Sequence, residues 1–132
     1  MELEIIALAQ VKARFGTSTP RRQFLFERLQ TVFGLLHETG RVKHVYLFGS
    51  FSKETPSPND VDLFVVMRAG FTTNGLNERL LSVFTHDVCR IRYNVDVFWV
   101  TEAVGEEYIA EILDVFSHNR QHQPQPIFEV TR

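Results

Sequence analysis

The chain has 132 residues, 44% hydrophobic and 23% charged, about one globular domain and neither a disordered tail nor a collagen-like repeat. Fourteen Lys and Arg against sixteen Asp and Glu leave a formal net charge of −2, so no global basic field announces nucleic acid. The single cysteine, Cys89, cannot bridge within the chain. No apolar run reaches the roughly 18 residues of a membrane span, and the acidic start MELEIIALAQ lacks the pattern of a signal peptide. A cytoplasmic protein without membrane contact is expected.

Residues 2–15 carry Leu3, Ile6, Ala7, Val11 and Phe15 in a helical rhythm that Gly16 stops. Thr19 before Pro20 is a helix start, and Leu25, Leu29, Val32 and Leu36 form one apolar face that ends at Gly40. Val45–Phe48 reads as a buried strand closed by Gly49-Ser50, with a helical turn at 51–53 inside a polar loop. Val61–Met67 is a second buried strand. Leu76, Leu80, Leu81, Phe84 and Val88 predict a third helix, and Val95–Val100 a third strand. Thr101 is placed to cap a last helix bearing Tyr108, Ile109, Ile112, Leu113 and Phe116. Asn119–Pro126 is a polar spacer, and Ile127–Val130 an edge strand.

The expected organisation is one domain over 1–132, with helices over 1–40, a motif-bearing core over 43–118 and a tail over 119–132. Its class is α/β, a small mixed twisted sheet with helices packed mainly on one side.

The stretch YLFGSFSKETPSPNDVDLFVV carries the chemistry. Side chains alternate along a strand, so Asp60 and Asp62 share a face, with Cβ atoms roughly 6–7 Å apart from about 3.3 Å of rise per residue. Two carboxylates at that distance can share divalent ions; without a cation they repel and one pKa rises. Asp60 could instead merely cap the strand after a Pro-Asn turn, but that leaves Asp62 unexplained inside an apolar run. Asp96 interrupts the later strand in the same way. It either completes an acidic cluster or pairs with Arg90 or Arg92. If strands 61–67 and 95–100 lie side by side with Val61, Leu63, Val95 and Val97 buried, all three carboxylates share one face. Gly49 permits close backbone approach to an anion, Ser50 and Ser52 offer hydroxyls, and Lys53 is the cation in reach.

These residues resemble the nucleotidyltransferase superfamily related to DNA polymerase β. Its signature is an apolar residue, Gly-[Gly/Ser], a spacer, Asp-apolar-[Asp/Glu]-apolar and a later acidic residue. Phe48-Gly49-Ser50, Asp60-Val61-Asp62-Leu63 and Asp96 fill every position, and the short chain resembles the minimal bacterial members. The resemblance implies a nucleotidyltransferase-like core and metal-dependent transfer of a nucleotidyl group from an NTP to a hydroxyl on a protein, RNA or small molecule. It implies Mg²⁺, with Mn²⁺ as a substitute, held by Asp60, Asp62 and Asp96 as the catalytic set, and phosphates held by Gly49, Ser50, Ser52 and Lys53. It also implies alternatives: a toxin–antitoxin component acting through a partner such as a HEPN-type toxin, or a nucleotide binder without turnover. A homodimer would suit so small a chain. Many minimal members follow Gly-Ser with an Arg-rich turn, which Phe51-Ser52-Lys53-Glu54 replaces here.

Other signals are read as structural. His118 and His122 belong to a solvated tail, and Trp99 to the core. Cys89 is an inert thiol, and Arg14, Arg21 and Arg22 form a solvated helix start. The Arg79/His86 spacing is a chance match to HEPN ribonucleases, whose all-helical fold the strands exclude.

Overall fold

The computed structural model describes residues 2–132. Five strands form one mixed sheet in the order β1-β5-β2-β3-β4. They are β1 (Leu3–Ala7), β2 (Val42–Phe48), β3 (Val61–Met67), β4 (Val95–Thr101) and β5 (Ile127–Thr131). Five helices accompany them: α1 (Leu8–Phe15), α2 (Pro20–Glu38), α3 (Glu78–Phe84), α4 (His86–Tyr93) and α5 (Glu106–Phe116). The expected α/β class with a small mixed sheet is therefore present. Among the described residues no helix is long and apolar enough to cross a membrane.

Alternation along the strands divides the core in two. Val45, Leu47, Val61, Leu63, Val65, Met67, Val95 and Val97 face α1–α4 and join Leu25, Leu29, Val32 and Leu36 of α2 in the main core. Tyr46, Phe48, Phe64, Val66 and Ile127 face the other way and are covered by Leu113, Ile109, Ile112 and Phe116 of α5. Thus four helices cover one face and one covers the other. The start of α2 follows its local signal: Thr19 accepts a hydrogen bond from the Arg22 amide at 3.1 Å with Pro20 in the first turn.

Several elements differ from the local reading. Residues 3–7 are a strand rather than the first turns of a helix, paired in parallel with β5 from Leu3↔Ile127 to Ala7↔Thr131. Local periodicity cannot register a partner far along the chain, and Ile5 and Ile6 suit a pleated strand as well as a helix face. Consequently β5 is not an edge strand: it lies between β1 and β2. The third helix is two helices, because Thr85 is extended (φ −104°, ψ 104°) and serves as the end of one and the start of the next. The Phe84 carbonyl freed at that break accepts the indole N–H of Trp99 at 3.2 Å, and Phe71, Phe84 and Trp99 pack edge to face or tilted with ring centroids 5.0–5.6 Å apart. Thr101 does not cap α5. A short 3-10 turn over Glu102–Val104 intervenes, and the helix begins after Gly105 at φ +95°. Glu102 holds that turn, accepting from Lys43 Nζ and from the Ala69 amide, both at 3.0 Å.

Candidate functional site

β3 and β4 run parallel in the register Val61↔Val95, Asp62↔Asp96, Leu63↔Val97. Because the valines and Leu63 are buried in the main core, Asp62 and Asp96 project together from the opposite face. Asp60 immediately precedes the strand, two residues from Asp62. Each of Asp60, Asp62 and Asp96 offers an oxygen, and these oxygens all lie within 4.8 Å of one another. β2 ends alongside, with Phe48 opposite Asp62. The floor is aromatic: Phe116 stacks on Phe48 at 4.3 Å between centroids and leans on Phe64 and Phe98.

Gly49 lies against the Asp62 carboxylate. Its backbone (φ +86°, ψ −162°) belongs to a region used essentially by glycine alone, and a Cβ there would overlap Asp62 Oδ2. Gly49→Ala is therefore expected to lower stability by about 1–3 kcal/mol in chemical denaturation and to push the Asp62 carboxylate off the cluster. An alanine variant as stable as the parent would show that the turn relaxes without strain.

The carboxylates are not equally solvated. Burial pushes the Asp62 carboxyl up to about 7, with the charges of Asp60 and Asp96 adding to it. Asp60 is raised by burial and then by Asp96, against the opposing pull of Arg90 and Arg120. Asp96 Oδ1 is buried and has no hydrogen-bond partner. His86 Nε2 approaches it to 3.1 Å without forming a hydrogen bond, and Arg90 Nε stands 4.0 Å away. The two expectations for Asp96 thus coexist: it joins the acidic cluster with Arg90 at its back, while Arg92 takes no part. His86, read in sequence as a chance match, sits beside the cluster with its ring against Phe98 at 5.0 Å. No local pattern marks it, because the break at Thr85 brings it there. Cys89 is fully buried and its thiol is pushed up to about 12 by burial and then by Asp96, as an inert thiol should be.

Three hard carboxylate oxygens within 4.8 Å of one another are a donor set that could hold a divalent cation. Asp60 and Asp62 open on a cleft of about 790 Å³, within the range of small-molecule sites. Gly49, Ser50, Lys53, Asp60 and Asp62 line it. Ser52, expected beside them, is buried under the turn, where its hydroxyl donates to the Gly49 carbonyl at 3.0 Å. The far wall is a surprise to local reading. His118, Arg120 and His122 line the cleft with Gln125, so the segment expected to be a solvated tail borders the acidic cluster.

Arg21 and Arg22 are not a solvated helix start either. Arg22 is 4% exposed and donates to the carbonyls of Phe15, Phe51, Lys53 and Thr55. Arg21 donates to the carbonyls of Pro58 and Asn59. Together they bind the whole loop between the Gly-Ser turn and Asp60 to the start of α2.

A solved structure described as a putative nucleotidyltransferase from Sulfolobus solfataricus is 19% identical over 83% of this chain and 96% of that one, with a TM-score of 0.42. That degree of likeness transfers no residue roles. No curated protein matches the chain. A family of unknown function, DUF6932, matches residues 5–131, and the chain belongs to that family.

Proposed function

We propose that the protein transfers a nucleotidyl group from an NTP to an acceptor hydroxyl. The observation that carries this reading is the convergence of Asp60, Asp62 and Asp96 within 4.8 Å beside the Gly49-Ser50 turn. Carboxylates buried against one another would be costly without a cation to share, and the adjoining turn offers an anion close approach to backbone amides.

In this reading the acceptor oxygen forms a bond to the α-phosphorus, the bond from that phosphorus to the β-bridging oxygen breaks, and pyrophosphate leaves. Asp60, Asp62 and Asp96 would hold Mg²⁺, which when bound supplies charge neutralisation for an in-line displacement. Asp96, the third carboxylate of the set, takes the hydroxyl proton as the bond forms. Gly49 and Ser50 orient the polyphosphate. The Phe48, Phe98 and Phe116 rings keep one side of the cleft dry, which strengthens every charge interaction in it.

The test is incubation with each α-labelled NTP, Mg²⁺ and total cellular RNA or protein, read on a gel. Label transferred to one band names the nucleotide and the acceptor class together. Asp96→Ala should lose that label while retaining much of its NTP affinity, since its work is on the nucleophile. Absence of label in every combination, with NTP still bound, would reduce the protein to a nucleotide binder.

A further inference from the structure

The loop after α5 is built as a rigid wall of the cleft. Asn119 Oδ1 accepts from the amides of Gln121 and Gln123 at 2.9 Å. The Asn119 amide donates to the Gln123 carbonyl and the His122 amide to the Asn119 carbonyl, again at 2.9 Å. Gln125 fastens the loop to the end of α5: its Nε2 and its amide donate to the carbonyls of Phe116 and Ser117, each at 2.8 Å. Gln125 is 8% exposed, lines the cleft, and leaves its Oε1 buried without a partner.

The bonds that shape this loop leave one strong donor unspent. Arg120 sits between Asn119 and Gln121 at the tip, and among the described residues no carboxylate lies within ion-pair distance of it. It lines the cleft together with Lys53, Asp60 and Asp62. Its charge favours the ionised forms of both carboxylates. The nearby arginines of α2 have no such freedom, because Arg21 and Arg22 are occupied by carbonyls. Lys53 and Arg120 are thus the permanent cations lining the cleft. A polyanion entering beside carboxylates needs such cations opposite them, and a guanidinium fork matches two phosphate oxygens at once.

We propose that Arg120 grips the β- and γ-phosphates of the nucleoside triphosphate, acting from the C-terminal loop in concert with Lys53 of the Gly49-Ser50 turn. The inference rests on the nucleotidyl-transfer reading and adds the residue that selects triphosphate over monophosphate.

The experiment is titration of the full-length protein in Mg²⁺ with each nucleoside tri-, di- and monophosphate, for the parent, Arg120→Ala and Arg120→Lys. Triphosphate affinity should fall about 10- to 100-fold in the alanine variant, the loss of a charge-assisted pair. Diphosphate affinity, with only the β-phosphate contact to lose, should fall less, monophosphate affinity should change less than about twofold, and lysine should recover part of the loss. Arg120 is exposed, so melting temperatures should be unchanged; if the alanine variant fails to fold, the lysine variant still reports. A triphosphate affinity unchanged in Arg120→Ala, or equal losses for mono- and triphosphates, overturns the assignment and leaves the transfer reading standing. If the parent binds no triphosphate at all, the transfer reading falls and the assignment falls with it.

Discussion

Asp62→Asn is expected to abolish transfer and to stabilise the metal-free protein at pH 8. The rate should drop by at least about a thousandfold, because the variant loses a carboxylate from a set whose charge stabilisation is worth several kcal/mol. The stability change follows from protonation. The Asp62 carboxyl titrates near 7 in the folded chain against 3.8 ordinarily, chiefly through burial and then through Asp60 and Asp96. Between those values the folded state keeps a proton that the unfolded chain has released. The contribution is therefore fully present below about pH 4, declines as pH rises, and is lost above about pH 7. The full swing is on the order of a few kcal/mol, and the asparagine variant should lack it. Urea denaturation in chelator at pH 5 and pH 8 measures the difference. Mg²⁺ should raise the parent's melting temperature at pH 8 and raise the variant's much less. An Asp62→Asn protein less stable than the parent at pH 8 would mean that Asp62 serves a cation of the fold rather than a site.

Arg22→Met should release the Gly-Ser loop and reduce stability by about 2–4 kcal/mol, the scale for leaving several buried carbonyls without a donor. The guanidinium is buried and donates to three carbonyls of the loop, those of Phe51, Lys53 and Thr55, and to that of Phe15 at the end of α1. Methionine fills much of the volume but leaves those carbonyls unpaired. Lysine should not rescue, since a single ammonium cannot span the acceptors that a planar fork reaches. Limited proteolysis should then cut within residues 51–59, and transfer should fall with it, since Asp60 closes the same loop. Retention of protease resistance in Arg22→Met would show that Phe51, fully buried beneath the guanidinium, holds the loop by itself.

The Asp60-x-Asp62 alternation and the out-of-place Asp96 were legible because each breaks a local rule, and Gly49-Ser50, an ordinary turn by itself, gained meaning from standing before them. A carboxylate inside an apolar strand is expensive wherever the strand ends up. The register that sets Asp62 beside Asp96 could also be anticipated, since a slip by one residue would expose Val61, Leu63, Val95 and Val97 together. By contrast, nothing near His86, Arg22, Arg120 or Gln125 marks them. His86 reaches Asp96 only because the helix breaks at Thr85, and Arg22 is buried only because the loop folds over α2. Arg120 reaches the cleft through hydrogen bonds made inside its own loop.

The helix start at Thr19-Pro20, the buried strands β2, β3 and β4, and the shared face of the acidic residues are all written in short stretches of the chain. Those are consequences of energies paid within a few residues: a capped amide, a φ fixed by proline, a side chain's alternation between oil and water. That residues 3–7 form a strand, that β5 is interior, and which side chains wall the cleft depend instead on contacts between distant parts of the chain. Ile5 and Ile6 are acceptable in a helix or a strand, and the difference is made by the hydrogen bonds that β5 supplies from the other end of the chain. A choice between local conformations of nearly equal free energy is settled by long-range partners, and those exist only once the rest of the core has assembled.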